Sequence, residues 1–482
     1  MKVLLCYLPE KFGRGRILHA LPPLGVLYVG TYLKNQGIEV KVLDAHVKGW
    51  SLKKTVEFIS VFKPDILGIS ALTPHIFSVV QLVNEIRNTT KIKICLGGPH
   101  ATAVKEEIFD YADVDFIING EGERNFSQLC SQLLISQNYD DIKGLIYKRN
   151  GDIITNEGIE KINDINDLPF PDLDLIDYQD YRIVDGAGRY VTSIIASRGC
   201  PYNCLFCEVP LSQGRTLRLR DPENICEEIK LKNDKYHIKD FVFKDSTFTI
   251  NKKWIYTLMD HFLTKGLKIK WTCNTRVDCI DLDMLKMMKK AGCRKISLGV
   301  ESGNQTVLNN IRKNISIEQI EEGANLISLA GIDAHAFFMI GNPGENKYTV
   351  RETIELAKRI KVTSSVFAVT IAYPGTPLYL WAIKNHKLKS NRWYLNFSDK
   401  IFFQNPEQVS GGQLLLDDLS PEEQLQLMKR AYREYYFRPK WILGLIIQRK
   451  FMFMLNVIRL FPRLIFVFFS RRKTKGNKVI NK

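Results

Sequence analysis

No stretch of this 482-residue chain approaches the roughly 20 consecutive apolar residues that a membrane-spanning helix needs. Cysteine is sparse, with 10 residues, and histidine sparser, with 8. That is too little cysteine for a small extracellular scaffold built on disulfides. No secretory leader is expected either. Met-Lys-Val-Leu-Leu-Cys-Tyr-Leu-Pro reads as a buried first strand and reaches Glu10 and Lys11 at once. Free thiols in such a chain predict a reducing cytoplasm. Acidic charge is short: 52 Asp and Glu stand against 68 Lys and Arg, for a net +16. The shortage is local. From Arg433 to Lys482, thirteen basic residues face one acid, Glu434, so that segment carries +12 and the other 432 residues +4. The body is therefore not read as a nucleic-acid binder.

What is present begins with a regular beat. Residues 1 to about 140 alternate short apolar runs with helical patterns. The strands expected are Val3–Tyr7, Glu39–Asp44, Ile66–Ser70, Ile92–Gly97 and Phe116–Gly120. That rhythm predicts a doubly wound parallel sheet of the Rossmann or flavodoxin kind. Ligands of such sheets sit outside the carboxyl ends of the strands. The exits to watch are Ser70-Ala-Leu72-Thr-Pro, Gly97-Gly98-Pro-His and Gly120-Glu121-Gly-Glu123. Residues 141–185 read as a connector with a hairpin at Asn150-Gly151. From 186 to about 400 the beat resumes, with strands expected at Val191–Ala196, Asp240–Phe243, Lys268–Thr272, Lys295–Gly299, Asp333–Ile340 and Ser365–Ile371. Six strand–helix units predict a partial β/α barrel, with its site at the carboxyl ends of the strands. Residues 401–482 read as a helical, basic and apolar end.

The densest chemical signal leaves the first barrel strand. Ser197-Arg-Gly-Cys200-Pro-Tyr-Asn-Cys204-Leu-Phe-Cys207 is a C-x3-C-x2-C cluster. Thiolates hold iron–sulfur clusters, and four is the usual number for a cube. Three thiolates leave one iron open to a small molecule. A zinc site generally wants four ligands, often as two separated pairs, and no histidine is near in sequence.

This pattern resembles the radical S-adenosylmethionine enzymes, whose signature is C-x3-C-x-aromatic-C, with Phe206 in the aromatic slot. The resemblance implies a 4Fe-4S cluster on Cys200, Cys204 and Cys207, with S-adenosylmethionine on the open iron. It further implies one-electron cleavage to a 5′-deoxyadenosyl radical, with a flavodoxin or ferredoxin as electron donor. Gly299-Val-Glu301-Ser-Gly303 resembles the family's Gly-x-Glu-Ser motif, which points Glu301 at the cofactor; read locally, it is equally a carboxylate favoured at a helix entry. Gly341-Asn-Pro343-Gly-Glu345 resembles the exit loop near the adenine. Asp245 resembles one of the acids at the second strand exit. Arg276, after the third strand, is a candidate carboxylate binder and equally a structural arginine.

The amino-terminal half resembles the cobalamin-binding domain of one subgroup of these enzymes, through Pro22-Pro-Leu-Gly-Val-Leu-Tyr28, Ser70-x-Leu72, Gly97-Gly98 and Glu121-Gly-Glu123. That implies cobalamin as a third cofactor, with Ser70, Leu72, Gly97, Gly98 and Glu121 at its site. Asp44-Ala-His46-Val-Lys-Gly49 matches the D-x-H-x-x-G pattern of proteins that ligate cobalt through histidine. There the pattern follows the first strand, whereas here it follows the second, so His46 is expected to be a decoy.

The combination predicts a cobalamin-dependent radical enzyme. A methyltransferase on an unactivated carbon is the leading expectation, with a lipid, terpenoid or tetrapyrrole as substrate. An oxidative cyclase of the same architecture and a non-catalytic cobalamin sensor are the alternatives. At the carboxyl end, Trp441–Ile447, Phe451–Ile458 and Leu464–Ser470 are short apolar runs among arginines. They suit a helix lying on an anionic membrane face, which would place the protein at the inner membrane surface.

Overall fold

The computed structural model describes residues 1–13, 20–182, 189–396 and 411–439. Two sheets dominate it. The first has seven strands: β1 (Lys2–Tyr7), β2 (Glu39–Asp44), β3 (Ile66–Ser70), β4 (Lys93–Gly97), β5 (Phe116–Ile118), β6 (Leu145–Arg149) and β7 (Asp152–Thr155). Their order is β2-β1-β3-β4-β5-β6-β7, parallel from β2 to β5. Strands β1, β3 and β4 are almost wholly apolar and buried, as strands covered on both faces must be. The connections are helices, among them Leu24–Asn35, Leu52–Phe62, Ile76–Thr89 and Glu123–Ile135. The expected hairpin forms, but it does not stand in the connector. Strand β6 pairs antiparallel with β5, and the hairpin extends the first sheet. Sequence alone could not place it, because an isolated two-stranded hairpin needs some sheet or core to join.

The second sheet holds six parallel strands in the order β8-β11-β12-β13-β14-β15. These are β8 (Val191–Ile194), β11 (Asp240–Phe243), β12 (Lys270–Thr275), β13 (Cys293–Glu301), β14 (Asp333–Ile340) and β15 (Ser364–Val369). A two-stranded ribbon, β9 (Ser197–Arg198) with β10 (Arg218–Leu219), interrupts the series; nothing in the sequence reading anticipated it. Among the described residues the sheet does not close, so it is a partial barrel. Its helices begin on side-chain caps: Asp221, Asn251, Asp281 and Ser316 each accept a backbone N–H in the first turn. Phe243, Phe262 and Trp271 pack between sheet and helices. Side chains alternate along a strand, so Val242, Thr272 and Asn274 face the other way, into the barrel lumen.

The helix Pro421–Tyr436 lies along the open edge at β15. The Tyr436 hydroxyl accepts from the Ser365 N–H at 3.1 Å and donates to its carbonyl at 2.7 Å, while that of Tyr432 accepts from the Phe367 N–H at 3.2 Å. Edge strands present unpaired backbone groups, and here tyrosines take them up. The three apolar runs between Trp441 and Ser470 lie outside the described residues. No described helix is long and apolar enough to cross a membrane.

Candidate functional site

A cavity of about 300 Å³ opens beyond the carboxyl ends of β3, β4 and β5. Ser70, Gly97, Gly98 and Glu121 line it as expected; Leu72 is not among its walls. Gly25 and Gly122, inside the two quoted motifs, line it as well, and so do Arg198 and Gln213, which the sequence reading did not assign to it. A Cβ on Gly97 would point into open space, so this glycine keeps the cavity wide. Gly98 has φ +94°, and a Cβ there would come within 3.1 Å of the Ala71 carbonyl. Glycine is required at the second position by conformation and at the first by room.

Glu121 does more than line the wall. It bonds to Arg218 at 2.7 Å, lies 3.2 Å from Arg198, and accepts the Ile162 N–H at 2.8 Å. Burial alone would raise its carboxyl; the hydrogen bond from Arg218 and the charge of Arg198 outweigh this and hold it below the ordinary range. Arg198 also bonds Glu123 at 2.5 Å. All four side chains are buried or nearly so, and they pin the β9–β10 ribbon to the first sheet.

That ribbon brackets the cysteine loop. Gly199 has φ +87°, and a Cβ there would strike the Thr216 carbonyl at 2.1 Å. Its N–H donates to Gln213 Oε1 at 3.1 Å, and the Cys200 N–H donates to the Gly214 carbonyl at 3.2 Å. The Leu205 N–H donates to the Ile311 carbonyl at 2.9 Å, and the Leu205 carbonyl accepts from Leu378 at 2.8 Å. Cys200 is buried, and Cys204 and Cys207 are half-buried. Burial pushes the Cys207 thiol up to about 11, and neighbouring Cys204 and Cys200 add to it. Burial raises Cys204 as well, while Lys313 and Arg276 pull against that. Three thiols within electrostatic reach of one another, with two cations beside them, suit an electron-rich cluster. Among the described residues no three His, Cys, Asp or Glu side chains gather tightly around one point, as ligands of a single ion would.

Arg276 stacks on Tyr202, 3.8 Å from the ring centre, and its Nη1 lies 3.9 Å from Cys204 Sγ. Its other donors are taken by Asp278, twice at 2.9 Å, and by the Lys313 carbonyl at 2.8 Å. The guanidinium is therefore committed to its own neighbours beside the thiols. Glu301 pairs with Lys313 at 2.8 Å and holds φ +71°, an unusual backbone state for a non-glycine residue and one associated with functional sites. Lys313 Nζ lies 6.0 Å from the ring centre of Phe206. This Glu301–Lys313–Phe206 line joins the fourth strand exit to the cysteine loop.

Asp245 is buried and turned inward. It accepts from the Ser197 hydroxyl at 2.5 Å and the Ala196 N–H at 3.2 Å, so it braces the root of the cysteine loop. Burial lifts its carboxyl to about 6. In the exit loop, Glu345 Oε2 accepts the N–H groups of Gly341 and Asn342 at 2.5 and 2.9 Å, and the Pro343 carbonyl accepts from Asn310 at 2.9 Å. The segment Asp44–Gly49 has a structural explanation. Asp44 caps the short helix Ala45–Lys48 at its start, and Gly49 closes it with φ +60°. His46 stacks on His75 at 5.9 Å and does not line the cavity.

A glycine-walled cavity at one set of strand exits and a three-thiol loop at another give this α/β protein two adjoining candidate cofactor sites. The B12-binding domain profile matches residues 11–130, and the Radical SAM superfamily profile matches residues 194–357. An uncharacterized methyltransferase of Pyrococcus horikoshii is 30% identical over 95% of this chain and 98% of its own. The anaerobic magnesium-protoporphyrin IX monomethyl ester cyclase of Cereibacter sphaeroides is 27% identical over 92% of this chain and 74% of its own. The solved radical S-adenosylmethionine methyltransferase TsrM of Kitasatospora setae superposes with a TM-score of 0.66 at 17% identity, over 91% of this chain and 82% of that one. The chain belongs to the radical SAM superfamily, in its B12-binding branch. It is a cobalamin-dependent radical SAM enzyme whose cofactors are a 4Fe-4S cluster, S-adenosylmethionine and cobalamin.

Proposed function

We propose that the enzyme transfers a methyl group to an unactivated carbon of a small molecule. One observation carries this reading: two residues of the cavity wall, Arg198 and Gln213, also belong to the base of the cysteine loop. The two cofactor sites share a wall, as the relay of a methyl group to a carbon beside the cluster requires. Near full-length similarity to a protein named a methyltransferase supports it further.

When bound, the cofactors supply a hydrogen-abstracting radical and a transferable methyl group. The chain's own residues do the rest. Cys200, Cys204 and Cys207 hold the cluster. Glu301, locked by Lys313, accepts from a hydroxyl or amine of S-adenosylmethionine, and Phe206 and the Gly341–Glu345 loop, with Pro343, shape its bed. Arg276 holds positive charge beside Cys204. Asp245 fixes the root of the loop. Ser70, Gly97 and Gly98 admit the cobalamin tail, and Glu121 anchors the wall next to it. The working units are residues 1–140 with the hairpin, and 186–400. An electron carrier of the flavodoxin or ferredoxin type docks to reduce the cluster. The aromatic and basic tail after Arg438 meets an anionic membrane face, a reading supported by its composition.

The test is anaerobic reconstitution with cobalamin and methyl-labelled S-adenosylmethionine, followed by mass analysis of products from cell extracts. A labelled methyl gain is expected; loss of hydrogen without label would make the enzyme an oxidative cyclase instead.

A further inference from the structure

The lumen of the partial barrel has a chemical character that the cofactors do not explain. Strand register places Asn274 beside Ser297, Ser297 beside His335, and His335 beside Ser364. Lys244 continues β11 two residues past Val242, which pairs with Thr272, and so joins this row next to Asn274. Its N–H still makes the ladder bond to the Ile194 carbonyl, at 2.9 Å. Phe243 packs outward on Phe262 and Trp271, and alternation turns Lys244 inward.

From Lys244 to Ser364 the row is polar, and Ile195, next to Lys244 on the β8 side, closes it with an apolar side chain. Lys244 is exposed to the open lumen yet crowded by the walls, which pushes its ammonium below the usual lysine range. It makes no ion pair and no side-chain hydrogen bond among the described residues, whereas Arg276 and Lys313 nearby are each matched to a carboxylate. One layer deeper Lys295 also points into the lumen, exposed and lowered by the same crowding, with Asp333 alongside. His335 is neutral: burial, then the charge of Lys295, drops it to about 4, and its Nδ1 is engaged with Ser364 at 2.7 Å. Phe337, 39% exposed, supplies an apolar wall one residue pair above.

We infer that this lumen binds a substrate bearing an oxyanion, a carboxylate or a phosphate, with Lys244 as its counter-ion. An ammonium with no carboxylate beside it in this row is open to a group of opposite charge. The inference rests on the radical-enzyme reading and narrows its substrate class. Glu301 pairs with Phe338, three residues beyond His335, so at about 3.3 Å per residue the backbone of the row lies about 10 Å below that of Glu301. The reacting carbon is therefore several bonds away from the anion. Lys244 is a specificity-determining residue, and a neutral hydrocarbon leaves it unmatched.

The test is calorimetric titration of the anaerobic, reconstituted holoenzyme with pyrophosphate and, separately, with succinate. Binding of at least one is expected, weakened tenfold or more in Lys244→Met and held within threefold in Lys244→Arg. Preference for pyrophosphate assigns a phosphate substrate; preference for succinate assigns a carboxylate. No binding by the wild type, equal binding by Lys244→Met, or mole-for-mole competition with S-adenosylmethionine would overturn the inference, the last by giving Lys244 to the cofactor. A separate assay, 5′-deoxyadenosine formation under dithionite, reports on the radical reading alone, so failure of that reading is seen independently of the anion result.

Discussion

The two sheets meet their ligands by opposite means. At the exits of the first, side chains are withdrawn: Gly25, Gly97, Gly98 and Gly122 leave room and let backbone approach a flat group. At the exits of the second, side chains crowd in as matched charges, Arg276 with Asp278 and Lys313 with Glu301, around three thiols. A large cofactor, held over much of its surface, calls for shape. A small charged one, to be cleaved at a chosen bond, calls for fixed electrostatics. Between them the Glu121, Glu123, Arg198 and Arg218 cluster ties shape to charge.

The contrast can be broken most sharply at the thiols. Cys204→Ala should abolish 5′-deoxyadenosine formation while cobalamin remains bound, as read by chromatography and by its visible spectrum; equal cleavage by mutant and wild type would refute the cluster assignment. The next effect is on the joint. Arg198→Ala leaves Glu123 buried without its partner, and breaking such a pair costs about 3–5 kcal/mol. Chemical denaturation should show that loss, and an unchanged midpoint would mean the joint is not structural. Gly97→Val tests the first sheet's rule. Its side chain enters open space, so folding stability should hold while cobalamin affinity falls at least tenfold; the reverse pattern would make Gly97 a folding glycine.

Smaller effects probe the second sheet. Burial lifts the Glu345 carboxyl to about 7, against the Asn342 and Gly341 N–H groups that its Oε2 accepts and that pull it down. A carboxyl raised in the folded state favours folding at low pH, and that contribution fades as pH rises from the ordinary value of 4.5 through 7. Unfolding of the wild type at pH 5 and pH 8 should show this decline, and Glu345→Gln should lessen it. Smallest of all, Tyr436→Phe removes the hydroxyl that serves both backbone groups of Ser365 and should cost about 1 kcal/mol.

Much of this was legible along the chain because its signals are local. Cys200, Cys204 and Cys207 lie within eight residues, and the strand–helix beat repeats within short windows, so the parallel sheets and the thiol loop could be read directly. Strand ends were less clear: β12 runs to Thr275 and β13 to Glu301, beyond the apolar runs that announced them. Polar residues such as Asn274 and Glu301 masked the continuation. Asp245 resembles one of the acids of the second strand exit, and its contact with Ser197 is a detail its motif did not carry. The D-x-H-x-x-G segment resolves into a helix cap at each end.

By itself, the order of residues determined the two α/β units, the thiol loop and the family, since periodicity, glycine placement and close-spaced ligands are properties of neighbours in sequence. Only the tertiary structure decided that Arg198 meets Glu123, that Arg218 meets Glu121, that the hairpin joins the first sheet, and that Lys244 faces the lumen with no acid paired to it among the described residues. The physical reason is that charges are matched across space, between segments about a hundred residues apart, and no local pattern records which partner a buried cation will find or lack.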